Sequence, residues 1–178
     1  LEHAHQHGIV HRDIKPGNLM IDTDSKLWIT DFGLARIESD AGMTLTGDLI
    51  GTLRYMAPEQ ALANRVVVDH RADIYALGVT LYELLALRPA FDGRNRQELL
   101  KQIAFDEAKP LRNLNGRVPI DLQTIVHKSV SKNPDERYQS AQEMANDLQA
   151  FIDDEPIKAR PLTITQRMTR WAAKRKGM

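Results

Sequence analysis

An eight-residue stretch at positions 11–18, His-Arg-Asp-Ile-Lys-Pro-Gly-Asn, places an acid, a cation and an amide within one short segment between two strand-like runs. Asp13 can accept a proton from an attacking hydroxyl, and Lys15 can neutralise charge on a phosphate that is being transferred. Asn18 can offer its amide oxygen to Mg²⁺. The combination predicts a loop for phosphoryl transfer, whereas a His-Arg-Asp tripeptide taken alone would suit a solvated charged turn equally well.

Two further motifs favour the phosphoryl-transfer interpretation. Asp31-Phe32-Gly33 follows the second strand-like run, and Ala57-Pro58-Glu59 follows a polar loop. The three motifs stand in the order and approximate spacing of the protein-kinase signature set. On these residues the chain resembles a eukaryotic-type (Hanks-type) Ser/Thr protein kinase of the bacterial receptor-like subgroup, and the resemblance runs from Leu1 to about Ile152.

The resemblance implies an α+β protein-kinase-like fold, of which this chain contains the C-terminal lobe only. That lobe is mainly α-helical, with a small catalytic β-hairpin. We expect residues 1–152 to form the lobe and residues 153–178 to form a polar linker and a basic tail. The chain starts with Leu and contains no G-x-G-x-x-G loop. We therefore expect an internal piece of a longer kinase, with weak ATP binding and no useful activity on its own.

The resemblance also implies a reaction and its site residues. The parent kinase would transfer the γ-phosphoryl group of ATP to protein Ser or Thr hydroxyls. Asp13 would orient and deprotonate the acceptor, Lys15 would steady the γ-phosphate, and Asn18 and Asp31 would hold Mg²⁺. Thr52 would form a hydrogen bond close to Asp13 and Lys15, and this Thr is a feature of Ser/Thr rather than Tyr kinases.

Met20 would form the floor of the adenine pocket, so that the expected ATP contacts are Lys15, Asn18, Met20 and Asp31. Ordinary core packing is the alternative for Met20. A pseudokinase or scaffold with the same fold is the alternative for the whole chain. The acidic and amide residues argue against it, because a binding module needs none of them.

The stretch from Leu34 to Met56 is polar and shows no sustained period, which is typical of a mobile loop. By resemblance it is the activation segment. Thr44 and Thr46 lie where bacterial kinases of this family carry phosphothreonines, and Arg12 is the cation that such a phosphate would order. A plain polar loop is the alternative.

Further residues have structural roles by resemblance: His11, Arg12, Phe32, Glu59, Asp73 and Arg137. His11 would pack beneath Phe32, and Glu59 would pair with Arg137 in a buried ion pair. Asp73 would bond the backbone of the catalytic loop, unless it is simply an exposed charge at a helix N-terminus.

The pattern of apolar residues predicts the elements. A helix ends near His7 before Gly8, strands cover Gly17 to Asp22 and Lys26 to Thr30, and a buried helix covers Asp73 to Ala86. The sequence predicts three more helices. Two of them begin at capping boxes, at Asn95 and at Ser140, and the third begins after Pro119. His3, His5 and His7 are interpreted as a polar surface rather than a metal site.

Composition limits the remaining possibilities. The 178 residues are 42% hydrophobic and 27% charged, which suits one soluble domain. Basic and acidic residues number 24 each, so net charge does not favour nucleic acid, and the absence of Cys excludes disulfides. The longest apolar run, Tyr75 to Leu87, is too short to span a bilayer.

The tail differs from the rest of the chain, because no acid follows Glu155 and seven basic residues lie between Lys158 and Lys176. It is either a solvated extension or a juxtamembrane segment before a membrane helix beyond Met178, and nucleic-acid binding is disfavoured. We therefore expect a cytoplasmic kinase domain, tethered to the inner face of the membrane in the second case. Its partners would be protein substrates, including a second copy in trans-autophosphorylation.

Overall fold

The computed structural model describes residues 1–32, 51–62 and 68–159, and within these ranges it is mainly helical with one two-stranded sheet. This confirms the expected fold class. The helices are α1 (Glu2–Gln6), α2 (Pro58–Ala61), α3 (Arg71–Ala86), α4 (Arg96–Phe105), α5 (Leu111–Leu114), α6 (Ile120–Ser129) and α7 (Ala141–Ile152). The strands are β1 (Leu19–Ile21) and β2 (Leu27–Ile29), and Pro16–Asn18 and Pro134–Glu136 form 3₁₀ turns.

The hairpin is antiparallel, with Met20 opposite Trp28 in the centre of the register. The prediction that the first strand begins at Gly17 is wrong, because residues 16–18 form a 3₁₀ turn in which Asn18 N–H donates to Lys15 O over 3.0 Å. Pro16 accounts for the difference, since its fixed φ suits the start of a helical turn and it has no N–H for a strand ladder.

Helix α3 is the centre of the lobe and separates two hydrophobic clusters. Tyr75 and Val79 belong to the cluster shared with α4 and α5, whereas Ile74 belongs to the cluster shared with α6 and α7. A Cβ atom at Gly78 would lie 2.6 Å from the Ser129 Cβ, so α3 and α6 can pack this closely only because position 78 is glycine. Burial ends before the last turn, where Leu84 is exposed.

The predicted caps start two of the later helices. Asn95 accepts a hydrogen bond from Glu98 N–H at 2.9 Å, and Ser140 accepts one from Glu143 N–H at 3.1 Å. The four-residue helices α2 and α5 were not predicted from the sequence, because so short an element shows no helical period.

Arg137 joins the start of α2 to the turn before α7. Its side chain is fully buried and its terminal nitrogens each lie 2.7 Å from a Glu59 carboxylate oxygen. The other three N–H groups donate to the carbonyls of Ser131, Arg71 and Lys132. All five donors of this guanidinium are therefore satisfied, which is what makes its burial tolerable.

The chain stays on the lobe surface after α7 ends. The buried Asp147 carboxylate accepts hydrogen bonds from Lys158 N–H at 2.7 Å, from Ala159 N–H at 2.8 Å and from the Tyr138 hydroxyl at 2.8 Å. Ala159 is buried against the second cluster. Most of the basic tail, residues 160–178, lies outside the described residues, so its contact with a membrane stays a prediction. No helix within the described ranges is long and apolar enough to cross a bilayer.

We expect Glu59→Gln to lower the free energy of unfolding by about 3–5 kcal/mol, because it leaves the buried Arg137 charge without its counter-ion. Urea denaturation measures the change. The control is Asp135→Asn, which removes an ion pair to Arg71 at a side chain that is 80% exposed. That change should cost about 1 kcal/mol or less. Equal costs for the two variants would contradict the structural importance of the buried pair.

Candidate active site

The loop that contains the His-Arg-Asp motif is held by the buried Asp73 carboxylate in the first turn of α3. Asp73 Oδ2 accepts a hydrogen bond from His11 N–H at 2.8 Å, and Oδ1 accepts one from Arg12 N–H at 2.7 Å. Asp73 is 0% exposed. An exposed charge at the helix start, the alternative for this residue, is therefore wrong, because the carboxylate faces the loop and is compensated by N–H donors.

His5 supplies a third donor to the same carboxylate, and sequence reasoning missed it. Its Nε2 lies 2.8 Å from Asp73 Oδ2, and its side chain is only 5% exposed. The interpretation of His5 as part of a polar surface is wrong, whereas His3 and His7 are exposed. No local sequence pattern indicates this contact, because Asp73 lies 68 residues further along the chain. No group of three or more potential metal-ligating His, Cys, Asp or Glu residues occurs among the described residues.

Two residues of the site have left-handed backbone conformations that non-glycine residues seldom adopt. Arg12 has φ of 69° and Asp31 has φ of 63°. Such conformations cost about 1–3 kcal/mol and persist where the surroundings fix them. For Arg12 the hydrogen bond from its N–H to Asp73 is one such constraint. For Asp31 the preceding residue is constrained, because Thr30 N–H donates to Asn18 O at 3.0 Å.

The contacts of His11 determine its tautomer. Nδ1 accepts a hydrogen bond from Asp13 N–H at 3.2 Å, so Nε2 carries the ring hydrogen and donates to Thr30 O at 2.7 Å. The ring is fully buried and meets the Phe32 ring edge-on, with 4.5 Å between centroids. His11 thereby links the loop to the end of β2 and to the Asp-Phe-Gly motif.

Four of the predicted catalytic residues come together at the loop. Lys15 Nζ lies 2.8 Å from Asp13 Oδ2 and 3.2 Å from Thr52 Oγ1. Asn18 Nδ2 donates to Asp13 O at 2.7 Å and to Asp13 Oδ2 at 3.0 Å. The side chains of Lys15 and Asp13 are 25% and 22% exposed, so the carboxylate is held in place but still accessible.

The oxygen donors expected to hold Mg²⁺ are compatible with that ion. The Asn18 amide nitrogen donates twice to Asp13, and Asn18 Oδ1 has no hydrogen-bond donor among the described residues. Asp31 is exposed at the end of β2, and its carboxylate has no hydrogen bond or ion pair to any described residue. Mg²⁺ is typically bound by a few protein oxygens together with phosphate and water, so the chemistry of these two donors suits that ion.

Met20 lies on the exposed hairpin surface and not in the core. Its side chain is 58% exposed, and Trp28 opposite it is 57% exposed. Core packing within the described residues is therefore wrong for Met20. An apolar side chain that projects from the strand directly after Asn18 is available to an aromatic ligand.

A groove of about 390 Å³ is lined in part by Lys15 and Thr52, two of the predicted catalytic residues. It lies between residues 15–17 and a second wall formed by Gly51, Thr52, Arg54 and Tyr55. The Tyr55 hydroxyl donates to Glu83 Oε2 at 2.7 Å. Burial, with the Glu83 carboxylate adding to it, raises the pKa of Tyr55, so this wall residue remains a neutral donor.

The Arg12 guanidinium makes no hydrogen bond or ion pair with any residue that the structure describes. It is exposed beside the catalytic loop. The two predicted phosphorylation sites, Thr44 and Thr46, and most of the predicted activation segment lie outside the described residues. Their relation to Arg12 therefore stays a prediction.

The chain belongs to the protein kinase family, because the family model described as protein kinase domain matches residues 1–148. That match includes the loop at 11–18, the hairpin, the groove and six of the seven helices in full. The family identified from three short motifs is thus confirmed over most of the chain.

Bacterial Ser/Thr kinases are among its similar proteins. A probable serine/threonine-protein kinase of Streptomyces coelicolor is 42% identical over 161 residues, covering 89% of this chain and 24% of the relative. PknB of Mycolicibacterium smegmatis is 39% identical over 176 residues, covering 97% and 28%. PrkC of Bacillus subtilis is 36% identical over 166 residues, covering 93% and 25%. The chain spans about a quarter of the length of the relatives it matches.

We expect Asp73→Asn to loosen the loop at residues 11–18. The amide NH₂ group of Asn would face N–H donors that the carboxylate of Asp73 accepts, and it cannot accept their hydrogen bonds. The free energy of unfolding should fall by about 3 kcal/mol. Amide hydrogen exchange at His11 and Arg12 should become faster. The matched control is Asp69→Asn, which replaces the half-exposed carboxylate that accepts Arg71 N–H. Because Asn can still accept Arg71 N–H and the ion pair to Arg71 is at a side chain that is 38% exposed, the control should cost about 1 kcal/mol or less. Unchanged exchange at both loop amides would contradict the role of Asp73.

Proposed function

We propose that the protein containing this chain is a Ser/Thr protein kinase, which transfers the γ-phosphoryl group of ATP to hydroxyls of protein Ser and Thr residues. The observation that supports this most directly is the position of Lys15 Nζ, which contacts both Asp13 Oδ2 and Thr52 Oγ1. One cation thereby joins the candidate base to the wall of the groove in which an acceptor peptide can lie.

Asp13 acts on the acceptor hydroxyl. Its carboxylate is oriented by Lys15 and Asn18 and remains partly exposed, so a Ser or Thr hydroxyl in the groove can donate its hydrogen bond to it. As the hydroxyl oxygen attacks the γ-phosphorus of ATP, its proton passes to the Asp13 carboxylate, and the bond from that phosphorus to the β–γ bridging oxygen breaks and releases ADP. The fixed geometry removes most of the entropic cost of bringing acceptor and base together.

Lys15 serves the transferring phosphate. Two of its ammonium protons are directed to Asp13 and Thr52, which leaves one donor and the positive charge for a phosphate oxygen. Asn18 Oδ1 and the Asp31 carboxylate would hold Mg²⁺, and Met20 would contact the adenine. When bound, Mg²⁺ neutralises charge on the phosphate oxygens.

A pseudokinase or scaffold is the rival function. It would retain the fold and the Asp73 anchor but would not need the Asp13 carboxylate, the Asn18 amide oxygen or the Asp31 carboxylate. The presence of these three residues at the positions expected for phosphoryl transfer favours catalysis.

We expect Asp13→Asn, made in the whole protein that contains this chain, to reduce the rate of protein phosphorylation by about 10²-fold or more, because the general base is lost. Nucleotide binding should persist. Asp31→Asn should instead raise the Mg²⁺ concentration needed for half-maximal rate. Radiolabelled phosphate transfer across a Mg²⁺ series measures both effects.

The control for both variants is Asp24→Asn, at an exposed acid in the hairpin turn. It should leave rate and Mg²⁺ dependence unchanged. If Asp13→Asn and Asp31→Asn behave like this control, the roles proposed for the two carboxylates are wrong. If the parent itself transfers no phosphate to protein, the scaffold function gains support.

We further propose that activity is raised by trans-autophosphorylation at Thr44, Thr46 or both. The support is the exposed Arg12 guanidinium beside Asp13, which has no partner among the described residues. A phosphate adds about 1.5 to 2 negative charges and three acceptor oxygens. An arginine guanidinium can bind two of those oxygens with parallel N–H hydrogen bonds.

The Thr44→Ala/Thr46→Ala double variant should lose most of the activity, because Arg12 would have no phosphate to bind, while its melting temperature should stay nearly the same. Phosphopeptide mass spectrometry should find phosphate at one or both positions in the parent. Thr23→Ala, in the exposed hairpin turn, is the control. A fully active parent without phosphate on this segment would overturn the mechanism.

A further inference from the structure

Arg54 is a charged wall residue of the groove whose hydrogen-bonding capacity is incompletely used. Its terminal nitrogen Nη2 donates to Asp92 Oδ1 at 2.8 Å. Its Nε is buried and has no hydrogen-bond partner among the described residues. Asp92, the counter-ion, is 70% exposed, whereas the Arg54 side chain is 32% exposed. The guanidinium is therefore partly desolvated, and its charge is balanced by a carboxylate that is mostly in water.

The other charged groups at the groove are more fully committed. The Lys15 ammonium contacts the carboxylate of Asp13 and the Thr52 hydroxyl at the catalytic centre. Glu83, behind the Tyr55 wall, accepts a hydrogen bond from the Tyr55 hydroxyl. Among the described lining residues, Arg54 is thus the cation available to a part of the substrate other than the phosphate.

An incoming carboxylate can join or replace Asp92. Exposed ion pairs contribute about 0–1 kcal/mol, so the Asp92 contact presents little barrier to exchange. A guanidinium can bind carboxylates at two nitrogens in one plane, and a partly desolvated one gains more from a second acceptor than a solvated one does. A lysine side chain brought to the same place would meet the Arg54 charge and be disfavoured.

We propose that Arg54 makes the groove select acceptor peptides with an Asp or Glu residue close to the Ser or Thr that is phosphorylated. This inference rests on the proposed kinase function. Arg54 follows Thr52 by two residues in a turn in which Tyr55 N–H donates to Thr52 O, and an acceptor peptide in extended conformation advances about 3.3–3.6 Å per residue. The acidic residue therefore lies within about three positions of the acceptor.

A series of acceptor peptides tests the preference for an acidic residue, with the whole protein that contains this chain and no substitution in it. One Thr-containing peptide is made with Glu, Gln or Lys at each position from three before to three after the acceptor, and kcat/KM is measured for each. We expect Glu to exceed Gln by about fivefold or more at one position at least, and Lys to fall below Gln there. Equal values at every position, or a preference for Lys, would overturn the inference.

Variants identify the residue responsible. Arg54→Gln should bring the Glu-to-Gln ratio close to one, and Arg54→Glu should reverse the preference in favour of Lys. Asp92→Asn should increase the ratio, because it removes the competing carboxylate without touching the guanidinium. Arg112→Gln, a matched change at an exposed arginine outside the groove lining, should leave the ratio as it is.

The outcomes separate this inference from the function on which it rests. Phosphorylation of all peptides with equal efficiency would reject the role of Arg54 and leave the kinase proposal intact. An unchanged ratio in both Arg54→Gln and Asp92→Asn would assign the preference to another residue and also reject it. No transfer to any peptide or protein would reject the kinase proposal and this inference together.

Discussion

The buried Asp73 carboxylate is the constraint on which the catalytic loop depends. Its oxygens accept N–H groups from His5, His11 and Arg12, and so connect α1, the loop and the central helix at one point. A buried carboxylate is costly unless such donors surround it, so the helix and the loop stabilise each other. The left-handed backbone at Arg12 is tolerated within this arrangement.

Sequence predicts a residue's role where the reaction or the local backbone requires a particular type of side chain. The acid, lysine and amide of the catalytic loop were identified because phosphoryl transfer needs those groups, and Asn95 and Ser140 because a helix start needs an acceptor. His5 and Arg54 were missed. Each depends on a partner far along the chain, Asp73 or Asp92, and no local pattern reports a tertiary contact.

The lobe combines a tightly packed helical body with an open catalytic edge. The body is fixed by contacts that leave little freedom, such as the close approach of α3 to α6 at Gly78 and the fully satisfied guanidinium of Arg137. At the edge, Met20, Trp28 and Asp31 are exposed. This contrast is expected of a site in which a rigid support positions side chains that must remain accessible to ligands.

The hydrogen bonds that the Asp147 carboxylate accepts from the backbone N–H groups of Lys158 and Ala159 have a mechanical consequence. The basic stretch that starts at Arg160 is attached to a clamped residue, not to the free end of a flexible spacer. Any surface or molecule bound by its first residues would therefore be held within a short radius of α7. A short attachment of this kind raises the effective concentration of what it tethers, as a short linker does in a bivalent binder.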